Sequence, residues 1–332
     1  VSSSAPWVVP SASKYFISGR PGGAKVLSRE NCRSDPDWAA AASFEVPSKG
    51  GRLNALRLLM RTALALACLL PAVLCFGAND GTGLSRAYAA EVDRRLSMPE
   101  AEQAAYGNLL AKTVAEKNIT AAQYFVLVDR SRFVQAVMIY WMSAERAVHF
   151  IGASPVSTGK PGSFDHFKTP TGVFEHTIDN LDFRAEGTRN KNGIRGYGIK
   201  GRRVFDFGWQ QAVRGWGRGG EGTMRLQMHA TDPDLLENRL GTALSKGCIR
   251  IPATLDVFLD HYGILDADYE TAMVEGKTFR VLPKDREATA WSGRYLVIVD
   301  TERTARPAWS PLPDAPKRNS WLRLDGVFAG SC

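Results

Sequence analysis

The segment Tyr124-Phe-Val-Leu-Val-Asp-Arg-Ser-Arg-Phe-Val-Gln-Ala-Val-Met-Ile-Tyr-Trp141 sets two runs rich in β-branched and aromatic residues either side of a short polar turn, Asp129 to Arg132. Two such runs predict a β-hairpin. Shorter strand-like pieces recur downstream between Gly-rich turns: Val148 to Gly152, Gly172 to Ile178, Tyr197 to Ile199, Val204 to Phe207, Met224 to Met228, Lys277 to Leu282 and Tyr295 to Val299. One helix is predicted from Ala253 to His261, closed by Gly263, with Asp256 and Asp260 facing out. Upstream, residues 90–122 favour helix, with Val92, Leu96, Ala105, Leu109, Leu110 and Val114 spaced by threes and fours around a break at Pro99. The fold class is therefore mostly β, with a few helices and a short helical N-terminal segment.

With 332 residues, 44% of them hydrophobic, the chain can build one large or two ordinary cores without disulfides. That composition excludes a disordered chain and a multi-span membrane protein. Five cysteines (Cys32, Cys68, Cys75, Cys248, Cys332) with no C-x-x-C pair argue against a disulfide framework and against a zinc site.

The region before the folded segment reads as a targeting sequence. Arg57, Met60 and Arg61 precede a 17-residue apolar stretch, Thr62 to Ala78, and Ala87-Tyr88-Ala89 offers small residues at the two positions a signal peptidase reads. Residues 60–89 thus predict a secretory signal peptide cut after Ala89; an uncleaved anchor and a lipoprotein are the alternatives. Residues 1–59 show no apolar period and read as a mis-assigned start or a disordered extension. The net charge of +8 suggests an anionic partner, but the first 89 residues hold 10 of the 42 Lys and Arg and 5 of the 34 Asp and Glu, so the other 243 carry only +3. Nucleic acid loses its support.

Two residues stand out chemically. Cys248 lies in Leu244-Ser-Lys-Gly-Cys-Ile-Arg250, and His229 ends the strand-like run Leu226-Gln-Met228, with 15 residues between it and Ser245. A cysteine nucleophile needs a base to make the thiolate and donors for the oxyanion. His229 is the candidate base, and the amides of Gly247 and Cys248 are candidate donors. Lys246 and Arg250 surround the sulfur with positive charge. In an exported chain Cys248 reads as a thiol kept free for catalysis.

This pattern resembles the YkuD-type L,D-transpeptidases, the ErfK/YbiS/YcfS/YnhG family, whose signature is a His, a gap of this length, then Ser or Thr, His, Gly, Cys, a hydrophobic residue and Asn or Arg. Val156-Ser-Thr-Gly-Lys-Pro-Gly162 and Thr169-Pro-Thr-Gly-Val-Phe174 resemble two further family segments in the right order. The resemblance covers roughly residues 123–283. It implies a β-sandwich catalytic domain, 123–285, with 286–332 as a C-terminal extension. Cys248 is then the nucleophile, His229 its base, the carbonyl of Ala230 the group that orients the imidazole, and Gly247 part of the oxyanion hole. Ser245, Lys246 and Arg250 are implied near the substrate. The implied partners are peptidoglycan stem peptides and, as acceptor, a second stem or the lysine of a wall-anchored protein. No cofactor or metal is implied, and the expected state is a monomer in the periplasm or cell envelope.

One departure matters: Lys246 stands where the family has a second His. We expect its ammonium to stabilise the thiolate or to select an acidic group. The Gly-rich segment Gly208 to Gly222 predicts a hinged loop on which Trp209 and Trp216 exclude water from the site and Arg214 and Arg218 meet carboxylates. His149, His166, His176 and His261 lack ligand spacing and read as surface or structural residues. A hydrolase on the same scaffold and a wall-binding module without turnover remain as alternative functions.

Overall fold

The strands of the first hairpin are buried along their whole length because the sheet they form is covered on both faces. The computed structural model describes residues 81–313, all within the larger of the two units into which the chain divides, Leu69–Cys332. Calls on residues 1–80 and 314–332 lie outside the described residues. The strands are β1 (Gln123–Asp129), β2 (Ala136–Met142), β3 (Val148–Pro155), β4 (Gly172–Glu175), β5 (Phe183–Arg184), β6 (Arg203–Val213), β7 (Glu221–Ala230), β8 (Ile249–Ile251) and β9 (Tyr295–Val299). The helices are α1 (Leu84–Glu91), α2 (Glu100–Glu116), α3 (Ala253–His261) and α4 (Ala267–Val274). The described protein is thus mostly sheet with a few helices.

One sheet has the order β3-β2-β1-β9-β4 and the other β5-β6-β7-β8. Successive side chains of β1 and β2 point to opposite faces. Val126, Val128, Val137 and Ile139 share a core with Phe205, Leu226, Met228, Ile249 and Ile251 of the second sheet and with Leu255 and Phe258 of α3. Phe125, Leu127, Met138 and Tyr140 pack on the other side with Tyr106, Leu110 and Val114 of α2 and with Trp309. The spacing of those three α2 residues, four apart, puts them on one helical face. Of the predicted stripe Leu110 and Val114 are buried, whereas Ala105 is exposed and Leu109 half-buried, and Tyr106 completes the face.

Two predicted boundaries move. Strand β9 pairs parallel with β1 and antiparallel with β4, so residues 295–299 belong to the first sheet, and Trp309 packs in its core. A cut after Ala89 would fall inside α1, whose Tyr88 is 3% exposed. The Tyr88 hydroxyl meets Ser154 Oγ at 2.5 Å, its ring packs edge-on against Phe258, and Gly152 leaves the room that a Cβ there would fill. The segment from Gly81 belongs to the domain.

Two predicted strands are absent. Tyr197 to Ile199 is turn and bend, and Lys277 to Leu282 is irregular; Phe279 packs on Tyr269 of α4 instead of pairing. Asp256 and Asp260 do not face water as expected: they are 1% and 7% exposed. The cause is Arg203, fully buried at the start of β6, which draws carboxylates inward. Its guanidinium reaches Asp182 at 2.6 Å, Asp266 at 2.7 Å and Asp260 at 3.2 Å, and its backbone N–H donates to Asp256 Oδ1 at 3.1 Å. His176 joins the cluster between Asp182 and the Leu265 carbonyl, 2.8 Å from each. This network anchors the second sheet to α3, α4 and the loop before β5.

Candidate active site

The outer face of the second sheet carries the candidate residues. On β7, Met224, Leu226 and Met228 point into the core, so Arg225, Gln227 and His229 alternate onto the opposite face. Strand β8 runs parallel to β7 with His229 opposite Arg250 and Met228 opposite Ile249. Because Ile249 and Ile251 point inward, Arg250 shares the His229 face, and Cys248 immediately precedes β8. The loop between the two strands, residues 231–248, is what turns distant sequence positions into neighbours.

His229 is 1% exposed. Its Nδ1 lies 2.6 Å from the Ala230 carbonyl oxygen, the contact the family resemblance assigns to that carbonyl. A carbonyl only accepts, so Nδ1 carries the hydrogen and Nε2 is the basic nitrogen. Burial, opposed by that hydrogen bond and reinforced by the charge of Arg250, pushes the imidazole down to about 3. The ring is neutral at physiological pH, the state in which it can take a proton. The Tyr197 ring meets it edge-on at 4.7 Å.

The three sequence motifs converge on the Cys248 loop. Ser157 and Arg250 exchange backbone hydrogen bonds of 3.0 Å, Ser245 N–H donates to the Thr158 carbonyl at 3.0 Å, and Lys160 N–H donates to the Ser245 carbonyl at 2.8 Å. Thr169 Oγ1 accepts the Gly159 N–H at 2.8 Å and donates to the Gly247 carbonyl at 2.7 Å. Gly159 is required because a Cβ would collide with the Phe167 carbonyl and press on the Gly247 backbone. Gly247 has φ +141°, and a Cβ there would come within 2.7 Å of Met224 Sδ.

Several expectations need correction. The Gly247 N–H donates to Ser245 Oγ at 3.0 Å, so it is engaged within the loop and does not point toward an oxyanion. Ser245 Oγ in turn donates to the Cys248 carbonyl at 2.5 Å; the buried Ser245 shapes the loop and does not face a substrate. Lys246 Nζ forms a 2.8 Å ion pair with Asp165 Oδ2, which turns its charge toward that carboxylate. Cys248 is disulfide-bonded, against the expectation of a free thiol. Its Sγ lies 4.0 Å from the Arg225 carbonyl oxygen.

The expected hinged loop is mostly a β-hairpin. Residues 208–213 and 221–222 lie in β6 and β7, and the turn between them is pinned to the segment before Thr169: Gly215 N–H donates to His166 O at 2.7 Å and Lys168 N–H to Val213 O at 2.9 Å. Trp216 packs edge-on against Phe167 at 4.9 Å. Phe167 N–H donates to the Lys246 carbonyl at 2.8 Å, so the hairpin tip forms a wall tied to the Cys248 loop. Trp209 is 65% exposed, with the Arg225 guanidinium 5.7 Å from its ring.

Sequence reading missed a polar chain on the His229 face. Tyr197 Oη donates to Gln227 Oε1 at 3.1 Å, Gln227 Nε2 donates to Asp206 Oδ2 at 2.8 Å, and Arg225 Nε donates to the same oxygen at 2.7 Å. The alternation Arg225, Gln227, His229 was the available signal. Among the described residues no group of three or more His, Cys, Asp or Glu is placed to hold a metal, and no helix is long and apolar enough to cross a membrane.

No protein-family model matches the chain, and no curated protein does so. Among solved structures, the helical cell shape determining protein Pgp2 from Campylobacter jejuni and a point-substituted form of it align with 59% of this chain at 14% identity, with TM-scores of 0.23 and 0.24. The alignments cover 56% and 55% of those chains, so this chain spans just over half of their length. At these TM-scores the likeness carries no weight for fold or function.

Proposed function

We propose that this protein is an exported cysteine acyltransferase acting on peptidoglycan stem peptides, an L,D-transpeptidase of the YkuD type. The observation that supports the reading is that His229 of β7 lies opposite Arg250 of the adjacent parallel strand β8, which Cys248 immediately precedes, with His229 Nδ1 committed to the Ala230 carbonyl. Once an external thiol reductant has reduced the Cys248 disulfide by exchange, the proton of the Cys248 thiol passes to His229 Nε2. The thiolate attacks the carbonyl of the third stem residue, the C–N bond breaks, and the imidazolium returns the proton to the departing D-Ala amine. The resulting thioester is opened by an amine of a second stem; sulfur leaves and recovers a proton, and a 3-3 cross-link forms. Splitting one amide exchange into two steps is the advantage of the covalent route. Such cross-links serve wall biogenesis and cell shape.

Incubating the reduced protein with disaccharide-tetrapeptide tests the reading. A cross-linked dimer that has lost one D-Ala, absent with C248A and H229A, is the expected product. Release of D-Ala without dimer would make the protein a carboxypeptidase, and neither product would leave a wall-binding module.

A further inference from the structure

A hollow of about 420 Å³ opens at the start of β6, a size usual for small-molecule sites. Arg184 of β5, Arg202, Val257 of α3, and Arg280, Leu282 and Pro283 of the segment after α4 line it, and none of the candidate catalytic residues does. Of its three guanidiniums only that of Arg184 is answered. It donates to both oxygens of Asp260 and to the Gly201 and Val281 carbonyls, which fastens the walls to one another. Arg202 and Arg280 form no ion pair or side-chain hydrogen bond among the described residues, and Arg202 Nε is buried.

No nearby carboxylate among the described residues pairs with those two cations. Arg202 acts electrostatically on Asp256 and Glu237. Yet Asp256 Oδ1 accepts the Arg203 N–H, and Glu237 Oε1 accepts the Ala253 N–H and pairs with Arg94. Asp260 is shared between Arg184 and Arg203. Asp285 also lines the hollow, is exposed, and forms no ion pair among the described residues. A half-buried cation without a counter-ion is costly, and several cations around one concavity focus a positive potential into it.

The donors select the kind of anion. One guanidinium fork fills the two oxygens of a carboxylate, whereas a phosphate monoester brings three acceptor oxygens and a charge near −2. The remaining wall is apolar: Val257 is 38% exposed, and Leu282 and Pro283 border the same space. We infer that this hollow is a binding site for a phosphate monoester carried on an apolar body, with Arg202 and Arg280 on the phosphate and Val257, Leu282 and Pro283 against the apolar part. Two sources share this chemistry: a soluble ester, and a lipid whose headgroup is a phosphate monoester. The inference is independent of the acyl-transfer reading, since it concerns other residues and needs no turnover.

Calorimetry on the full chain in phosphate-free buffer tests it, with inorganic phosphate, hexyl phosphate and hexanoate as probes. Hexyl phosphate should bind more tightly than inorganic phosphate, through its chain, and about tenfold more tightly than hexanoate, through its extra charged hydrogen bonds. R202Q and R280Q should each weaken hexyl phosphate about tenfold. R202K should restore part of the loss, and K112Q, which removes an exposed charge on α2, should change nothing. Arg280 is exposed, so R280Q decides the matter even where a lowered melting point shows that R202Q has not folded. Flotation with phosphatidylcholine vesicles containing phosphatidic acid assigns the source: binding that R280Q abolishes points to the lipid, and none points to a soluble ester. No calorimetric binding of either phosphate, hexanoate bound as tightly as hexyl phosphate, or an affinity for hexyl phosphate unchanged in R280Q would overturn the inference.

Discussion

The Thr169 hydroxyl and the Gly247 carbonyl are joined by a 2.7 Å hydrogen bond that links the Thr-Pro-Thr-Gly segment to the residue preceding Cys248. The same hydroxyl accepts the Gly159 N–H, so one buried side chain satisfies two backbone groups from two further motifs. Thr169→Val keeps the shape and removes both bonds. Leaving buried polar groups unmet costs about 1–3 kcal/mol each. We expect a melting point lower by several degrees and slower acyl transfer, measured by thermal denaturation and dimer formation; an unchanged melting point would show that the loop is held otherwise.

Gly159 makes a sharper prediction. A methyl group at this position meets the Phe167 carbonyl and the Gly247 backbone, neither of which is the far end of a flexible side chain. Gly159→Ala should therefore displace the Cys248 loop and abolish acyl transfer, while Gly193→Ala, where a Cβ meets nothing, should affect stability only through its positive φ. Comparing turnover in the two variants checks this.

Lys246 and Asp165 predict a small effect. Their pair joins a largely covered ammonium to a carboxylate that is half exposed, so solvent screens it and the coupling should be about 0–1 kcal/mol. A double-mutant cycle of K246A and D165A, read by denaturant unfolding at low and high salt, should show a coupling that shrinks with salt. A coupling of several kcal/mol, insensitive to salt, would contradict the pairing.

The pH dependence of stability follows from two buried groups. Burial, with repulsion from Asp260, raises Asp256 from 3.8 to about 7. Burial alone would lower His176, but Asp182 outweighs it and raises the imidazole above its usual value; the ring faces one carboxylate and one carbonyl, which is suited to the doubly protonated form. In each case the folded state holds a proton more tightly than the unfolded state. The Asp256 contribution is fully present below about pH 4 and is lost as pH rises through 7; that of His176 is present below about pH 6.5 and is lost above it. Stability should fall as pH rises from about 4 to about 7 through Asp256 and further above about 6.5 through His176, and Asp256→Asn should flatten the first part of the fall. Urea midpoints across that range measure it, and a rise in stability over the same range would contradict both assignments.

The hairpin through Tyr124 and Trp141 was legible because strand chemistry and a polar turn agree there. The helix from Ala253 was legible as well, since Gly263 closes it. The environment of Asp256 and Asp260 was not, because nothing local announces that Arg203, some fifty residues earlier in the sequence, is buried beside them. Tyr88 was read as part of a cleavage site for a similar reason: its flanking alanines carry a local signal, while its burial depends on Gly152 and Phe258. At the candidate site, His229 and Cys248 were singled out by residue type and by the family resemblance of the motifs around them. The internal commitments of Ser245, Gly247 and Lys246 depend on hydrogen bonds and an ion pair that only the folded loop defines.

The central claim is that the reduced Cys248 sulfur is the acyl-accepting atom. Intact mass of the reduced protein after exposure to a carbapenem tests it most directly. The account predicts a single covalent adduct located at Cys248 by peptide mapping, lost in C248A and formed far more slowly in H229A. No adduct on the reduced thiol, or an adduct that persists in C248A, would contradict it.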